Sequence, residues 1–133
     1  MGEFAIGQPV PRFEDPRLLR GGGNYVDDMA FPGMVFGAVL RSPHAHAKIR
    51  SVNVEAAKKA PGVLGVFTGD DWLKSGFGDL PRAEGKKRRD GSPMYRPHFP
   101  ALVKDKARYV GDPIAFVVAE TVAQAQDAAE MIE

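Results

Sequence analysis

Apolar residues are spread unevenly along this chain, and their spacing separates patterned stretches from unpatterned ones. Over about residues 1–33 no period holds. Pro9, Pro11 and Pro16 each remove a backbone donor and push the preceding residue toward an extended conformation. Gly21-Gly22-Gly23 allows a tight or left-handed bend. This stretch reads as an irregular arm that ends in the turn signal Pro32-Gly33. Met34–Leu40 then reads as a buried strand, weakened by Gly37 and stopped by Ser42-Pro43. Ile49, Val52 and Val54 keep a period of two with one break, which predicts a short strand over Ile49–Val54. Glu55–Ala60 predicts a brief helical turn stopped by Pro61-Gly62. Val63–Thr68 predicts a strand, carried by Val63, Val66, Phe67 and Thr68. Asp70–Lys74 starts another short helix.

Periodicity is lost from about 75 to 100, where glycines, prolines and the run Lys86-Lys87-Arg88-Arg89-Asp90 dominate. So long a structureless stretch reads as a functional or mobile loop, or as a segment that another domain holds in place. Order returns with a strand over Ala107–Val110, a turn or bulge at Gly111-Asp112-Pro113, and a buried strand over Ile114–Ala119. The clearest helix comes last. Thr121 and Gln124 have capping-box spacing, and Val122, Ala125, Ala129 and Ile132 fall on one stripe. These elements predict an α+β fold, short strands forming a mixed sheet packed with about two helices, in a single domain spanning 1–133. The regular βαβ succession of a doubly wound sheet is missing. The chain stops at Glu133 without a Gly or Pro stop signal, which reads as a piece of a longer subunit.

Composition narrows the possible functions. With 133 residues, 44% of them hydrophobic, a chain of this size buries roughly two thirds of its unfolded surface. Eighteen Lys and Arg against 17 Asp and Glu leave a net charge of +1, far from the basic surface of a dedicated nucleic-acid binder. With no cysteine, this chain alone can build no disulfide, thiolate nucleophile, cysteine-ligated zinc or iron–sulfur cluster. The absence of cysteine fits a cytoplasmic protein. Met1–Pro11 lacks a basic segment followed by a long apolar run, so it does not read as a signal peptide. Runs such as Ile114–Ala119 fall far short of the ~20 residues that cross a bilayer, and the chain reads as soluble.

Candidate chemistry is sparse. His44 and His46 share a face on an extended segment, but a metal needs a third or fourth ligand. Asp27, Asp28 and His98 are the candidates, and nothing in the sequence brings them near. The competing reading is a turn held by imidazole hydrogen bonds, and the ligand count favours it. Gly21-Gly22-Gly23 lacks the first, third and sixth glycines of a dinucleotide fingerprint, since Val26 fills the sixth position. The run Lys86–Arg89 could grip an anion, a nucleic acid or an acidic partner; the plainer reading is a solvated loop. It has Tyr95 and Phe99 downstream but no interleaved aromatics for base stacking. Asp27-Asp28 and Asp70-Asp71 fit turn formation and helix capping better than acid–base work. Ser42, Ser51, Ser75 and Ser92 sit in no nucleophile-elbow context. The residues by themselves describe a soluble α+β domain without an identifiable active site.

Taken in order, several segments resemble one family. Gly7-Gln8-Pro9-Val10-Pro11-Arg12, Glu14-Asp15-Pro16-Arg17-Leu18-Leu19 and Gly21–Asp28 are similar to the opening of molybdenum hydroxylase large subunits. Pro32-Gly33-Met34, Leu40–Ile49 with its Ser-Pro-His-Ala-His core, Pro61-Gly62-Val63, Val66–Gly69, Tyr109–Ala115 and Val118–Thr121 continue the likeness. It covers nearly the whole chain except Lys74–Ser92. The family comprises aldehyde oxidases, xanthine dehydrogenases and carbon monoxide dehydrogenases, and Glu14–Leu19 looks most like the bacterial carbon-monoxide-dehydrogenase-type large chain. The resemblance implies an α/β hammerhead at the N-terminus of the large subunit, with no catalytic, cofactor-binding or metal-binding residue of its own. It also implies a molybdenum–pterin cofactor and catalytic glutamate in later domains of the subunit, with FAD and iron–sulfur clusters in partner chains or domains. The parent reaction is then oxidation of an aldehyde, N-heterocycle or carbon monoxide with oxygen from water. A stand-alone ligand- or protein-binding module, using the loop 75–100 as its surface, is the alternative.

Overall fold

The computed structural model describes Gly7, residues 11–81 and residues 85–133. Pro9 of the expected arm and positions 82–84 of the long loop lie outside the described residues. The chain divides after Met34 into two compact units.

In the first unit, the arm carries a helical turn that the sequence analysis does not predict, α1 (Asp15–Leu18). Pro16 stands where a missing N–H costs nothing, at the start of the helix. Gly21, at φ +73°, ends it: Gly21 N–H donates to Leu18 O at 3.0 Å and Gly22 N–H to Arg17 O at 2.9 Å. That bond pair is a Schellman closure, which needs a left-handed residue at its centre. The triple glycine is a helix stop. A 3-10 turn over Val26–Asp28 follows.

The second unit is built on β1 (Phe36–Arg41), β2 (Ala47–Lys48), α2 (Glu55–Lys58), β3 (Val63–Thr68), α3 (Gly69–Ser75), β4 (Lys106–Ala107), β5 (Pro113–Ala119) and α4 (Val122–Glu130). β5 is the centre of a three-stranded sheet ordered β1-β5-β3, and β2 pairs with β4 in a second, smaller sheet. Every strand pairing among the described residues is antiparallel. The result is the expected α+β fold, its strands divided between two small sheets and its described α-helices numbering four.

α2 and α4 cover one face of the larger sheet. Ala57, Val66, Val117, Ala128 and Ala129 form the buried core there, with Ala38, Val54, Ala60, Val63 and Ile132 packed around it. Val117 is the largest fully buried side chain, and most of its buried neighbours are alanines. Such small side chains let α4 lie close on the sheet. At its N-terminus, Thr121 Oγ1 accepts the Gln124 backbone N–H at 3.2 Å. The Gln124 side chain meets the same hydroxyl at 3.0 Å, so the expected box is half made.

Three strand expectations change. β1 alternates between half-buried and exposed positions along its length instead of being buried throughout. Residues 49–54 form no strand, although Ile49, Val52 and Val54 are partly buried; the break in their alternation leaves only isolated pairings, Ile49 N–H to Asp105 O at 2.9 Å and Asn53 with Glu133 at 2.8 and 3.2 Å. β4 stops at Ala107 instead of running to Val110. The Asp112 carboxylate takes the Arg108 N–H at 2.8 Å, so that donor is lost to the ladder.

The expected structureless loop is closed locally. Gly76, at φ +75°, ends α3, and Trp72 donates its indole N–H to Gly78 O at 2.8 Å. Leu80 N–H donates to Phe99 O at 2.9 Å, and Phe99 N–H to Asp79 Oδ1 at 2.7 Å. Farther out, Lys87 and Pro93 form an antiparallel bridge, and Arg88 N–H reaches Ser92 O at 2.8 Å. Among the described residues no helix is long and apolar enough to cross a membrane.

Candidate functional site

Two of the motif segments singled out in the sequence meet at one end of the larger sheet. Pro43 cannot continue the β1 ladder, so the chain turns at Ser42, which is buried. Its hydroxyl donates to His44 O at 3.0 Å and accepts the His44 N–H at 3.1 Å. Its backbone is tied to the turn that leads into β5: Ser42 N–H donates to Asp112 O at 2.9 Å, and Gly111 N–H donates to Ser42 O at 2.8 Å. Arg41 adds a bond from its guanidinium to Gly111 O at 3.0 Å. Gly111 has φ +90°, which suits glycine at this crossing. The buried Asp112 carboxylate is satisfied by Arg108 N–H. Burial, and then the charge and hydrogen bond of Asp112, push the Tyr109 phenol above its usual range, opposed by Arg41.

This knot is made from backbone and short polar side chains. His44 and His46 are exposed, and the turn is held by the Ser42 hydroxyl where imidazole bonds were expected. His98, considered as a third ligand, instead sets Nδ1 2.7 Å from Asp79 Oδ1. Among the described residues no three His, Asp or Glu side chains are grouped to hold a metal ion.

The paired aspartates divide their labour. Asp28 Oδ2 accepts the Tyr25 N–H at 2.9 Å. Asp71 Oδ2 accepts both the Thr68 N–H and the Thr68 hydroxyl at 2.8 Å, capping α3. The two Thr68 bonds hold the Asp71 carboxyl below the usual carboxylate range. Asp70 faces away to pair with Lys104 at 2.7 Å, which holds that ammonium above its usual range. Ser75 donates to Trp72 O at 2.6 Å and Ser92 to Asp90 at 2.6 Å, while Ser51 is exposed. The Ser92 hydroxyl and N–H hold Asp90 below the usual range. Ser75 and Ser92 thus lock local turns through their hydroxyls. Lys86–Arg89 sits on the exposed ribbon closed by the Lys87–Pro93 bridge.

One hollow is apolar. Phe67, Trp72, Phe77, Leu102 and Phe116 line a groove of about 460 Å³ beside α3, with Trp72 and Phe77 ring centroids 5.4 Å apart. Composition and motif reading missed it, although the unbroken apolar run of β5 was a signal. Residues buried on one face alone alternate with polar ones; Ile114, Phe116 and Val118 do not. Every buried side-chain nitrogen and oxygen among the described residues has a partner.

Residues 20–133 match the family model described as "Aldehyde oxidase and xanthine dehydrogenase, a/b hammerhead domain". The large subunit of nicotine 6-hydroxylase from Paenarthrobacter nicotinovorans is 39% identical over 127 residues, covering 96% of this chain and 15% of that one. The carbon monoxide dehydrogenase large chain of Afipia carboxidovorans is 38% identical over 122 residues, covering 92% of this chain and 14% of its own length. The crystal structure of a Cu,Mo-CO dehydrogenase in its carbon monoxide reduced state superposes with a TM-score of 0.76 at 37% identity, covering 96% of this chain and 15% of that chain. The chain belongs to the aldehyde oxidase and xanthine dehydrogenase a/b hammerhead domain family, and it spans about one seventh of the length of the curated relatives it matches.

Proposed function

We propose that this chain is a non-catalytic structural domain, at the N-terminus of a longer large subunit whose active centre lies in other domains. The coverage carries the reading: nearly all of this chain aligns with about one seventh of its relatives' length. Its side chains support it, since serines, aspartates and histidines here serve caps, turns and ion pairs. The parent enzyme oxidises an aldehyde, an N-heterocycle or carbon monoxide, with water as the oxygen source. A molybdenum–pterin cofactor would supply that chemistry from outside this chain, with FAD and iron–sulfur clusters in partner chains or domains. A cytoplasmic location belongs to the same reading.

The experiment is to read the gene beyond Glu133 and purify both products. The expected outcome is a frame continuing for several times this length, whose product holds molybdenum, beside a 133-residue chain that holds none and oxidises no aldehyde, purine or CO with a dye acceptor. Stoichiometric molybdopterin in the 133-residue chain would overturn the structural role. A frame that ends at Glu133 would favour the stand-alone binding module instead.

A further inference from the structure

The larger sheet has a second face, and its composition is wrong for water. Antiparallel sheets that face solvent on one side carry polar residues there. Here one cross-strand row reads Val39–Phe116–Phe67, fixed by the pairings Val39 with Phe116 and Phe67 with Phe116. The next row reads Gly37–Val118–Gly65. A Cβ added to Gly37 would stand 2.4 Å from the Phe116 ring, and one on Gly65 3.0 Å from the Phe67 ring. Both glycines thus let an aromatic ring lie flat along the sheet, which leaves a smooth apolar surface. It remains open: Val39 is 37% exposed, Phe67 47% and Phe77 74%. The row runs into the apolar groove beside α3.

We infer that this face, from Val39 across Phe116 and Phe67 to Phe77, is the surface on which the rest of the same large subunit packs. The inference rests on the structural-domain reading above and names the partner and the contact. Two observations choose that occupant. The two rows contain no charged side chain, and the one charged residue lining the adjoining groove, Asp71, is tied to Thr68, whereas faces that exchange partners rely on polar and charged groups, and permanent ones resemble a core cut in half. The relatives also carry this segment within a chain of which it is only about 15%, so the larger remainder is covalently at hand. A second copy of the chain and a separate subunit are the rival occupants.

The test uses the longer polypeptide, with Phe77 replaced by the photo-cross-linker p-benzoylphenylalanine. Phe77 is largely exposed, so the replacement leaves the core intact. Irradiation should join residue 77 to a peptide of the same molecule lying outside 1–133. Phe77→Cys supplies a second readout, with the label followed on the peptide that carries residue 77, where this chain has no other cysteine. Its maleimide labelling in the native longer polypeptide should be slower than in urea by at least about tenfold, the mark of a site reached only through local opening. Cross-links to a second copy or to another subunit, or equal labelling rates, overturn the inference while the polypeptide's molybdenum content still supports the domain reading. A frame ending at Glu133 overturns both.

Discussion

The three-stranded sheet and the segment 85–99 solve the same problem by opposite means. The sheet is held by apolar burial, with Val117, Ala115 and Ala119 fully enclosed at its central strand. The ribbon has almost no buried side chain and is closed by polar contacts: Asp79 with Phe99 N–H and His98, Asp90 with Ser92, Arg88 with Ser92. Burial at β5 is cooperative, since residues 115–119 pair with both neighbouring strands and one face of the strand lies against α4. The polar closures are short-range and compete with water, so each adds little net stability. Ordered geometry therefore does not imply equal resistance to opening.

Amide exchange gives the largest expected contrast. Amides of Ile114–Ala119 should exchange only through opening that approaches global unfolding, whereas those of Arg88–Met94 should exchange through local opening at little cost. Equal protection would mean that the ribbon packs on its own unit. Next in size, Val117→Ala should lower unfolding stability by about 2–3 kcal/mol in a urea melt, and Met94→Ala should stay within about 0.5 kcal/mol. Similar losses at both positions would erase the distinction.

Asp112→Ala should cost about 1–3 kcal/mol, because it removes a buried carboxylate and leaves the Arg108 N–H without its partner. Asp71→Asn sharpens the comparison through pH. The folded-state pKa of Asp71 is depressed by its two Thr68 bonds, so its contribution is fully present above the unfolded value of about 4 and fades as pH falls through the folded value. The stability gap between the wild type and Asp71→Asn, about 1 kcal/mol or less for an exposed cap, should hold near neutrality and close in acid. A gap that widens below pH 4 would mean another group controls it.

The same contrast explains what could be read from the chain. β5 and α4 were legible because burial leaves a period, Ala115, Val117 and Ala119 at the spacing of a strand and Ala125 and Ala129 at that of a helix, and β3 through its β-branched and aromatic residues. α1 was not, since one helical turn is too short for a period, although Pro16 and Gly21 bracket it as start and stop. The Asp79–Phe99 closure joins residues 20 apart through one carboxylate and one amide, and such a contact leaves no trace in hydrophobicity. Asp112 was read as part of a turn; that its side chain would also shorten β4 depended on a bond four residues back. The chemistry was legible in a different way. The aspartates were expected to cap and turn, and Asp28 and Asp71 each accept a backbone N–H of the kind any sequence carries. The apolar face needed the fold first, because only the strand order β1-β5-β3 sets Val39, Phe116 and Phe67 in one row.

The alanine-lined contact between α4 and the sheet has a consequence for how this domain can change. Ala57, Ala115, Ala125 and Ala128 are essentially fully enclosed, and every other side chain but glycine's is larger. Drift at these positions is thus one-sided. A larger residue must push helix and sheet apart, at about 1–3 kcal/mol for each overpacked site, and shrinkage is limited to a single methyl. Sequence divergence should therefore run freely along the solvent side of α4, at Gln126 and Glu130, while its sheet side stays confined to the smallest residues.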